Sequence, residues 1–232
     1  MTFRDIPDLA LDDLDRDGAI REALDRLPRS SRGGFLKAGS GILAAVALGR
    51  PPTASAALRA GDVAILNYAL ALEYLQDAFY TEAERKGALS GPAARLTRVV
   101  GAVERAHVRA LRDVLGKKAI ARPYFDFRGV TEKASSFIRT AVAFEDLGTA
   151  AYKGQAHNIQ SPQVLAAAVG IHTVEARHAA WIRYIAGSRP AAEAFDQATS
   201  EAQTLRLVRN TGFIARRPRT RAKKNKKPAF TG

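Results

Sequence analysis

Glu104-Arg-Ala-His107 and Glu175-Ala-Arg-His178 are two copies of one short pattern, a glutamate followed three residues later by a histidine. Residues three apart share one face of an α-helix. Each copy therefore presents a carboxylate and an imidazole side by side. A single pattern of this kind is often a solvated helix face, so its meaning depends on what accompanies it.

A further glutamate precedes each copy at a matching distance. The interval from Glu73 to Glu104 is only one residue longer than the interval from Glu145 to Glu175. All four glutamates follow or interrupt apolar stretches, so they are expected to converge in a core, where they would repel and require protons or cations. Two divalent ions balance four carboxylates and two neutral imidazoles. The six predicted ligands of this dinuclear metal site are Glu73, Glu104, His107, Glu145, Glu175 and His178.

Apolar residues recur every three or four positions over four long stretches, which predicts four helices. These are residues 60–86, 92–115, 131–157 and 162–186, with a shorter fifth helix over 192–210. Gly61-Asp62 and Thr131 are the expected N-terminal caps of the first and third helices. The predicted fold class is all-α.

The connections predict how the helices are arranged. Helices one and two are joined by a short link, as are helices three and four, so each pair is expected to form an antiparallel hairpin. Residues 116–130 are instead predicted to form a long crossover between the hairpins. Since a 25-residue helix is about 38 Å long, ligands near the helix middles meet mid-bundle, away from bulk water. This is a four-helix bundle with one long crossover.

The chain resembles the ferritin-like superfamily and, more narrowly, the desiccation-related and bacterial exported ferritin-like proteins. The ligand set carries the broader likeness, over about residues 60–212. The narrower likeness is carried by residues 65–75, Ala78-Phe79-Tyr80, Phe125-Asp126-Phe127, Glu145-Asp146-Leu147-Gly148, Ala151-Tyr152-Lys153-Gly154 and Phe195-Asp196.

The resemblance implies a role for each ligand. Glu104 and Glu175 would bridge the two metals, and His107 and His178 would each bind one. Glu73 and Glu145 would be terminal ligands. It also implies chemistry of oxygen or peroxide activation, ferrous oxidation or stress protection.

Two tyrosines repeat the symmetry, because Tyr80 follows Glu73 by seven residues and Tyr152 follows Glu145 by seven. Seven residues are nearly two helical turns, so each tyrosine lies on its glutamate's face about 10 Å along the axis. Such tyrosines can hydrogen-bond the ligands, pass electrons to them, or fill the core.

Two further polar residues lie within one turn of a predicted ligand. Asp77 either orients a ligand histidine, as carboxylates beside metal sites do, or lies on the surface. His172 is either an extra ligand or a core or supporting histidine.

Composition limits the metal. The chain has no cysteine, which excludes disulfides, thiolate-bound zinc, iron–sulfur clusters and thiol catalysis. Oxygen and imidazole ligands favour iron or manganese, with zinc possible.

Residues 1–56 are interpreted as a leader. An apolar run of small residues follows the segment Ser31-Arg32-Gly33-Gly34-Phe35-Leu36-Lys37. The later Ala54-Ser55-Ala56 suggests cleavage after Ala56. The segment resembles a twin-arginine signal in which Gly33 replaces the second arginine. The apolar run of about 12 residues is too short for a membrane span of roughly 20. Export to the periplasm or cell envelope is expected, with a cytoplasmic location as the alternative.

Charge is concentrated at the other end. Of the net charge of +13, residues 1–56 contribute zero, residues 57–215 contribute +5 (20 basic, 15 acidic) and residues 216–232 contribute +8. We therefore expect a ferritin-like domain over 57–212 and a basic, disordered tail over 213–232. Residues 216–227 can contact a polyanion by counterion release or can simply aid solubility.

Three functional hypotheses follow. The first is a di-iron or di-manganese protein that reacts with oxygen or hydrogen peroxide in stress protection, as a peroxidase, a catalase-like enzyme or a ferroxidase. The second is a non-catalytic metal-binding stress or structural protein. The third is a DNA-protecting protein similar to Dps, which requires cytoplasmic retention. A homo-oligomer is compatible with all three.

Overall fold

The computed structural model describes residues 58–191 and 193–216. This part of the chain contains five α-helices and one short β-pairing. The helices are α1 (Ala60–Lys86), α2 (Gly91–Leu115), α3 (Ala134–Gln155), α4 (Pro162–Ile185) and α5 (Glu201–Thr211). Short 3₁₀ turns follow α2 and α3, at Gly116–Lys118 and Ala156–Asn158. The prediction of an all-α four-helix bundle with a short C-terminal helix is confirmed.

The bundle consists of two hairpins. Helix α1 packs most extensively on α2, and α3 on α4, while the hairpins meet where α1 contacts α3 and α2 contacts α4. Gly87 ends α1 in the left-handed region at φ 62°, where glycine carries no steric penalty. The short turn that follows returns the chain directly along α1.

Helix α1 is covered on nearly every side, with 14 of its 27 residues buried. The long crossover supplies part of this cover. Asn67 donates to the Lys118 carbonyl at 2.9 Å and accepts from the Ile120 amide at 2.8 Å. Asn67 thus satisfies two backbone groups of the crossover, which explains a polar residue between the apolar residues of the first half of α1.

An aromatic cluster fills the core beside the second half of α1. The Phe79 ring stacks on Phe137 at 5.0 Å between centroids and meets Tyr80, Phe127 and Phe144 edge-on. Edge-on and offset contacts suit the ring quadrupoles. These contacts join α1, α3 and the crossover.

Both predicted helix caps were wrong. Asp62 is fully buried and accepts hydrogen bonds from the Gln160 and Ser161 amides at 2.8 and 3.0 Å, while Arg59 occupies the N-cap position of α1. Thr131 is also buried, and its hydroxyl donates to Glu82 at 2.8 Å. Helix α3 therefore begins at Ala134 rather than residue 131, because Thr131 is held by α1.

The fifth helix also begins later than predicted, at Glu201 rather than residue 192. The Ser200 hydroxyl accepts from the Gln203 amide at 3.2 Å and caps α5. The preceding loop is docked on α3, since Lys153 donates to the Asp196 carbonyl and the Thr199 amide donates to Ala150 at 3.1 Å. Because these contacts hold residues 196–199 against α3, this segment is a loop and not the start of the helix predicted over 192–210.

The described chain continues past the predicted domain boundary at 212. Strand β2 (Ile214–Ala215) pairs antiparallel with strand β1 (Tyr124–Phe125) of the crossover. The Phe213 ring packs on Phe127 at 5.4 Å. Residues 213–216 are thus attached to the domain. The predicted leader and export signal, and the tail from residue 217 onward, lie outside the described residues.

No described helix combines the length and apolar character that crossing a membrane requires.

Candidate metal centre

Six side chains from four helices meet in the bundle interior. Glu73 comes from α1, Glu104 and His107 from α2, Glu145 from α3, and Glu175 and His178 from α4. All four carboxylates are 0% exposed. The structure therefore brings together all six ligands predicted from the sequence.

The six side chains form two overlapping groups. One comprises Glu73, Glu104, His107 and Glu175, and the other comprises Glu104, Glu145, Glu175 and His178. Within each group the potential ligand atoms lie within 4.8 Å of one another. Glu104 and Glu175 belong to both groups, so each could contribute to two metal positions.

Glu104 faces both imidazoles, one with each oxygen. Its Oε1 lies 3.0 Å from His178 Nδ1, and its Oε2 lies 3.5 Å from His107 Nδ1. The imidazole rings are 6.5 Å apart between centroids. This geometry suits a carboxylate that spans two metal positions.

The donor atoms fit a metal site because they lack other partners. Seven buried atoms of the six residues have no hydrogen-bond partner within the described chain. They are Glu73 Oε2, both oxygens of Glu104, His107 Nδ1, Glu145 Oε2, Glu175 Oε1 and His178 Nδ1. Unpaired buried polar atoms are rare and costly, and oxygen and imidazole donors suit iron and manganese. The cluster could hold two metal ions.

Without metal, burial and mutual repulsion raise the pKa of two of the four carboxylates. Burial and the Glu145 charge raise the pKa of Glu104 to about 7. Burial and the charges of Glu104 and Glu73 raise the pKa of Glu175 well above its usual range. In both cases the proton relieves repulsion among carboxylates that water does not reach.

The histidines respond in the opposite sense to burial. Burial alone lowers the pKa of an imidazole, but Glu104 and Glu145 outweigh it and raise the pKa of His178 to about 10. Glu73 and its neighbours likewise raise the pKa of His107. Although burial alone would raise the pKa of Glu73, the His107 charge lowers it. The metal-free cluster therefore holds protons as its counter-charge.

A family model described as "Ferritin-like domain" matches residues 61–188. This span contains all of α1 except Ala60, helices α2 to α4, and all six clustered residues. The chain belongs to the ferritin-like domain family. A comparison with curated proteins finds no matching sequence.

The two tyrosines that repeat the symmetry, Tyr80 and Tyr152, both reach the cluster. Tyr80 donates to Glu145 Oε1 and Tyr152 donates to Glu73 Oε1, each at 2.6 Å. Burial and the adjoining carboxylates raise both phenol pKa values well above 10, so both remain donors. Of the roles considered for these tyrosines, the structure shows hydrogen bonding to two predicted ligands within a buried core. Electron transfer stays a prediction.

Asp77 and His172 lie outside both groups. Asp77 is buried and pairs with Arg122 of the crossover at 2.5 Å, with Thr81 donating at 3.0 Å. It therefore holds the crossover rather than a histidine, and it is not a surface residue. His172 is half-buried, and its Nδ1 has no hydrogen-bond partner among the described residues.

Gln76 contacts the cluster but was not predicted. Its amide donates to Glu175 Oε2 at 3.2 Å, and the residue is 3% exposed. The available signal is spacing. Gln76 follows Glu73 by three residues, the interval at which α2 and α4 carry histidine.

Proposed function

We propose that this ferritin-like domain binds two divalent metal ions, iron or manganese, and reacts with oxygen or hydrogen peroxide. The observation that carries the proposal is the set of seven buried donor atoms without hydrogen-bond partners in the described chain. Glu73 and His107 would hold one ion, Glu145 and His178 the other, and Glu104 and Glu175 would serve both.

The charge of the cluster supports two ions rather than one. Four carboxylates and two neutral imidazoles carry −4, which two divalent ions cancel. One ion would leave a charge of −2 that protons on the buried carboxylates would still have to balance. With no cysteine in the chain, the donors are oxygen and nitrogen, which suits iron and manganese.

The chain's own residues would prepare this site for redox chemistry. When bound, iron or manganese supplies one-electron steps between its +2 and +3 states. The helices exclude water from the carboxylates, all of which are 0% exposed. Tyr80 and Tyr152 orient the terminal glutamates through their Oε1 atoms and leave both Oε2 atoms facing the cluster.

The test begins with metal-free protein loaded anaerobically with Fe(II) or Mn(II). We expect about two metals per chain and a change of oxidation state, with oxidant consumption, when oxygen or peroxide is added. Glu104→Ala and His178→Ala should abolish that consumption. Glu132→Ala and His157→Ala are matched controls, because both residues are exposed.

Each outcome separates two hypotheses. Two bound metals whose oxidation state never changes would leave the non-catalytic metal-binding protein. Binding of fewer than one metal per chain would contradict both. A lower melting temperature in Glu104→Ala, with the redox reaction intact, would also count against the redox proposal.

We further propose that the protein is exported and belongs to the desiccation-related group. The predicted cleavage point after Ala56 is compatible with export, because α1 begins only at Ala60, so cleavage would leave the described domain whole. N-terminal sequencing of protein taken from its cells should find Ala57 first. An intact N-terminus would favour the cytoplasm and a polyanion-binding role for residues 216–227.

A further inference from the structure

The two halves of the metal centre differ at one pair of positions. Each of the four long helices carries a clustered glutamate, and the residue three positions later faces the same way. These residues are His107 on α2 and His178 on α4, but Gln76 on α1 and Gly148 on α3. The pseudo-symmetry that relates Tyr80 to Tyr152 is thus broken between Gln76 and Gly148.

Gln76 and Gly148 fit against each other and against Glu175. The Gln76 amide donates to Glu175 Oε2 at 3.2 Å. A Cβ atom at position 148 would lie 3.2 Å from that same oxygen and 3.4 Å from the Gln76 side-chain oxygen. The first separation is tighter than ordinary van der Waals contact, and the second is at its lower limit. Glycine at 148 therefore leaves the space in which the amide meets the carboxylate.

This contact makes the two shared carboxylates unequal. Neither oxygen of Glu104 has a hydrogen-bond partner in the described chain, and its two oxygens face different imidazoles. Glu175 has one oxygen held by Gln76, while its Oε1 lies 3.1 Å from His107 Nδ1.

The surroundings of the imidazoles differ accordingly. Three carboxylates lie close to His107 Nδ1, at 3.3, 3.5 and 3.1 Å. Two lie that close to His178 Nδ1, at 3.0 and 3.4 Å. Glu175 is close to His107 Nδ1 but not to His178 Nδ1. Its Oε2 instead accepts the hydrogen bond from Gln76.

We infer that Gln76 is a positioning residue that directs Glu175 toward the His107 side and makes the two metal positions unequal in affinity. The inference rests on the proposed binding of two metals. The position at His107, with Glu73, Glu104 and Glu175 converging, is the tighter one. The position at His178 is the weaker one and fills second.

Anaerobic titration of the metal-free full-length protein with Mn(II), followed by electron paramagnetic resonance of free Mn(II) and by calorimetry, tests the inference. The wild type should bind two ions with dissociation constants that differ at least tenfold. Gln76→Leu removes the donor at similar volume. Replacing the hydrogen-bond partner of a metal ligand typically changes metal affinity by about 10–100-fold. This variant should therefore lower the ratio of the two dissociation constants about tenfold while still binding two ions.

Three further variants fix the assignment. His178→Ala should keep one ion at the wild-type first affinity, whereas His107→Ala should lose the tight step. Gly148→Ala crowds Glu175 Oε2 and should also change the ratio, so the inference stays testable if Gln76→Leu does not fold. Gln155→Leu is the matched control, since Gln155 is a buried glutamine on α3 that hydrogen-bonds Asn158, and its ratio should equal that of the wild type.

Failure of the inference differs from failure of the proposed function. Two equal sites in the wild type, or an unchanged ratio in both Gln76→Leu and Gly148→Ala, would overturn the role of Gln76 and leave metal binding intact. A tight step that survives His107→Ala would overturn the assignment of positions. Absence of Mn(II) and Fe(II) binding in the wild type would instead refute the proposed function.

Discussion

Tyr80 on α1 donates its phenol hydrogen to Glu145 on α3, across the interface between the two hairpins, with 2.6 Å between the oxygens. The reciprocal bond runs from Tyr152 on α3 to Glu73 on α1, also at 2.6 Å. Glu73 and Glu145 are therefore each oriented by a tyrosine of the opposite hairpin. The same two bonds link the hairpins and orient the carboxylates, so that Glu73 Oε2 and Glu145 Oε2 face the cluster.

Replacing either tyrosine by phenylalanine should weaken both the fold and the site. Tyr80→Phe leaves Glu145 Oε1 buried without its donor, which costs about 1–3 kcal/mol of unfolding free energy in the metal-free protein. Metal affinity should fall about tenfold, as for other partners of metal ligands. Urea denaturation and metal titration measure the two effects.

Tyr152→Phe should match Tyr80→Phe within a factor of a few, because the two bonds are equivalent in length and burial. Tyr184→Phe is the control, since Tyr184 is 62% exposed. Unchanged metal affinity in both buried variants would show that the phenols fill space without orienting the glutamates.

Metal binding should release protons, since the metal-free cluster uses them as counter-charge. Near pH 6, His107, His178, Glu104 and Glu175 are all expected to hold a proton, so binding two ions should release roughly three to four. The number should fall by about one by pH 8, because the pKa of Glu104 is about 7. Calorimetry in buffers of different ionisation enthalpy counts the protons. A pH-independent release near zero would contradict the expected charge state.

Spacing alone was sufficient to predict that these six residues meet, because helical periodicity is a local property. Glutamates that recur within apolar helices are also an unusual pattern. Tertiary contacts decided the rest. Helix α3 begins late because Thr131 is bound by α1, and α5 begins late because Asp196 and Thr199 are docked on α3. Gln76 is an unremarkable helical residue in sequence, and its role becomes visible only opposite Gly148.

Without metal, the domain should lose stability as pH rises. Glu104 has a pKa raised from 4.5 to about 7, so its contribution is complete below pH 4.5 and is lost as pH rises through 7, on the order of 3 kcal/mol. The raised pKa of Glu175 acts in the same direction, and His178 extends the loss from 6.5 to about 10. Glu73 opposes this only in acid, because its pKa is lowered.

Urea midpoints in the presence of a chelator should therefore fall from pH 5 to pH 9. Added Mn(II) should remove most of that fall, because metal ions replace the protons. In the double variant Glu104→Gln, Glu175→Gln the fall between pH 5 and 6, below the range in which the histidines contribute, should nearly vanish. Stability that rises over this range in metal-free wild type would contradict the assigned pKa directions.

Gly154 on α3 should tolerate no side chain, because a Cβ atom there would overlap the Thr199 backbone carbonyl. That carbonyl belongs to the loop that leads into α5, and neither it nor the helix backbone can move aside as a flexible side chain could. Gly154→Ala should therefore detach the loop and α5 from α3, at a cost of about 1–3 kcal/mol. Amide hydrogen exchange should show the loss as faster exchange in residues 201–211, with the four long helices still protected.

Gly170→Ala is the matched control for this loop, because a Cβ at Gly170 meets nothing within 4 Å. Alanine there favours the helix by up to about 1 kcal/mol, so α4 should be unchanged or slightly more stable and α5 should keep its protection. If α5 were equally protected in Gly154→Ala and Gly170→Ala, the loop would not be held through Gly154, and the Lys153 and Thr199 hydrogen bonds alone would account for its docking on α3.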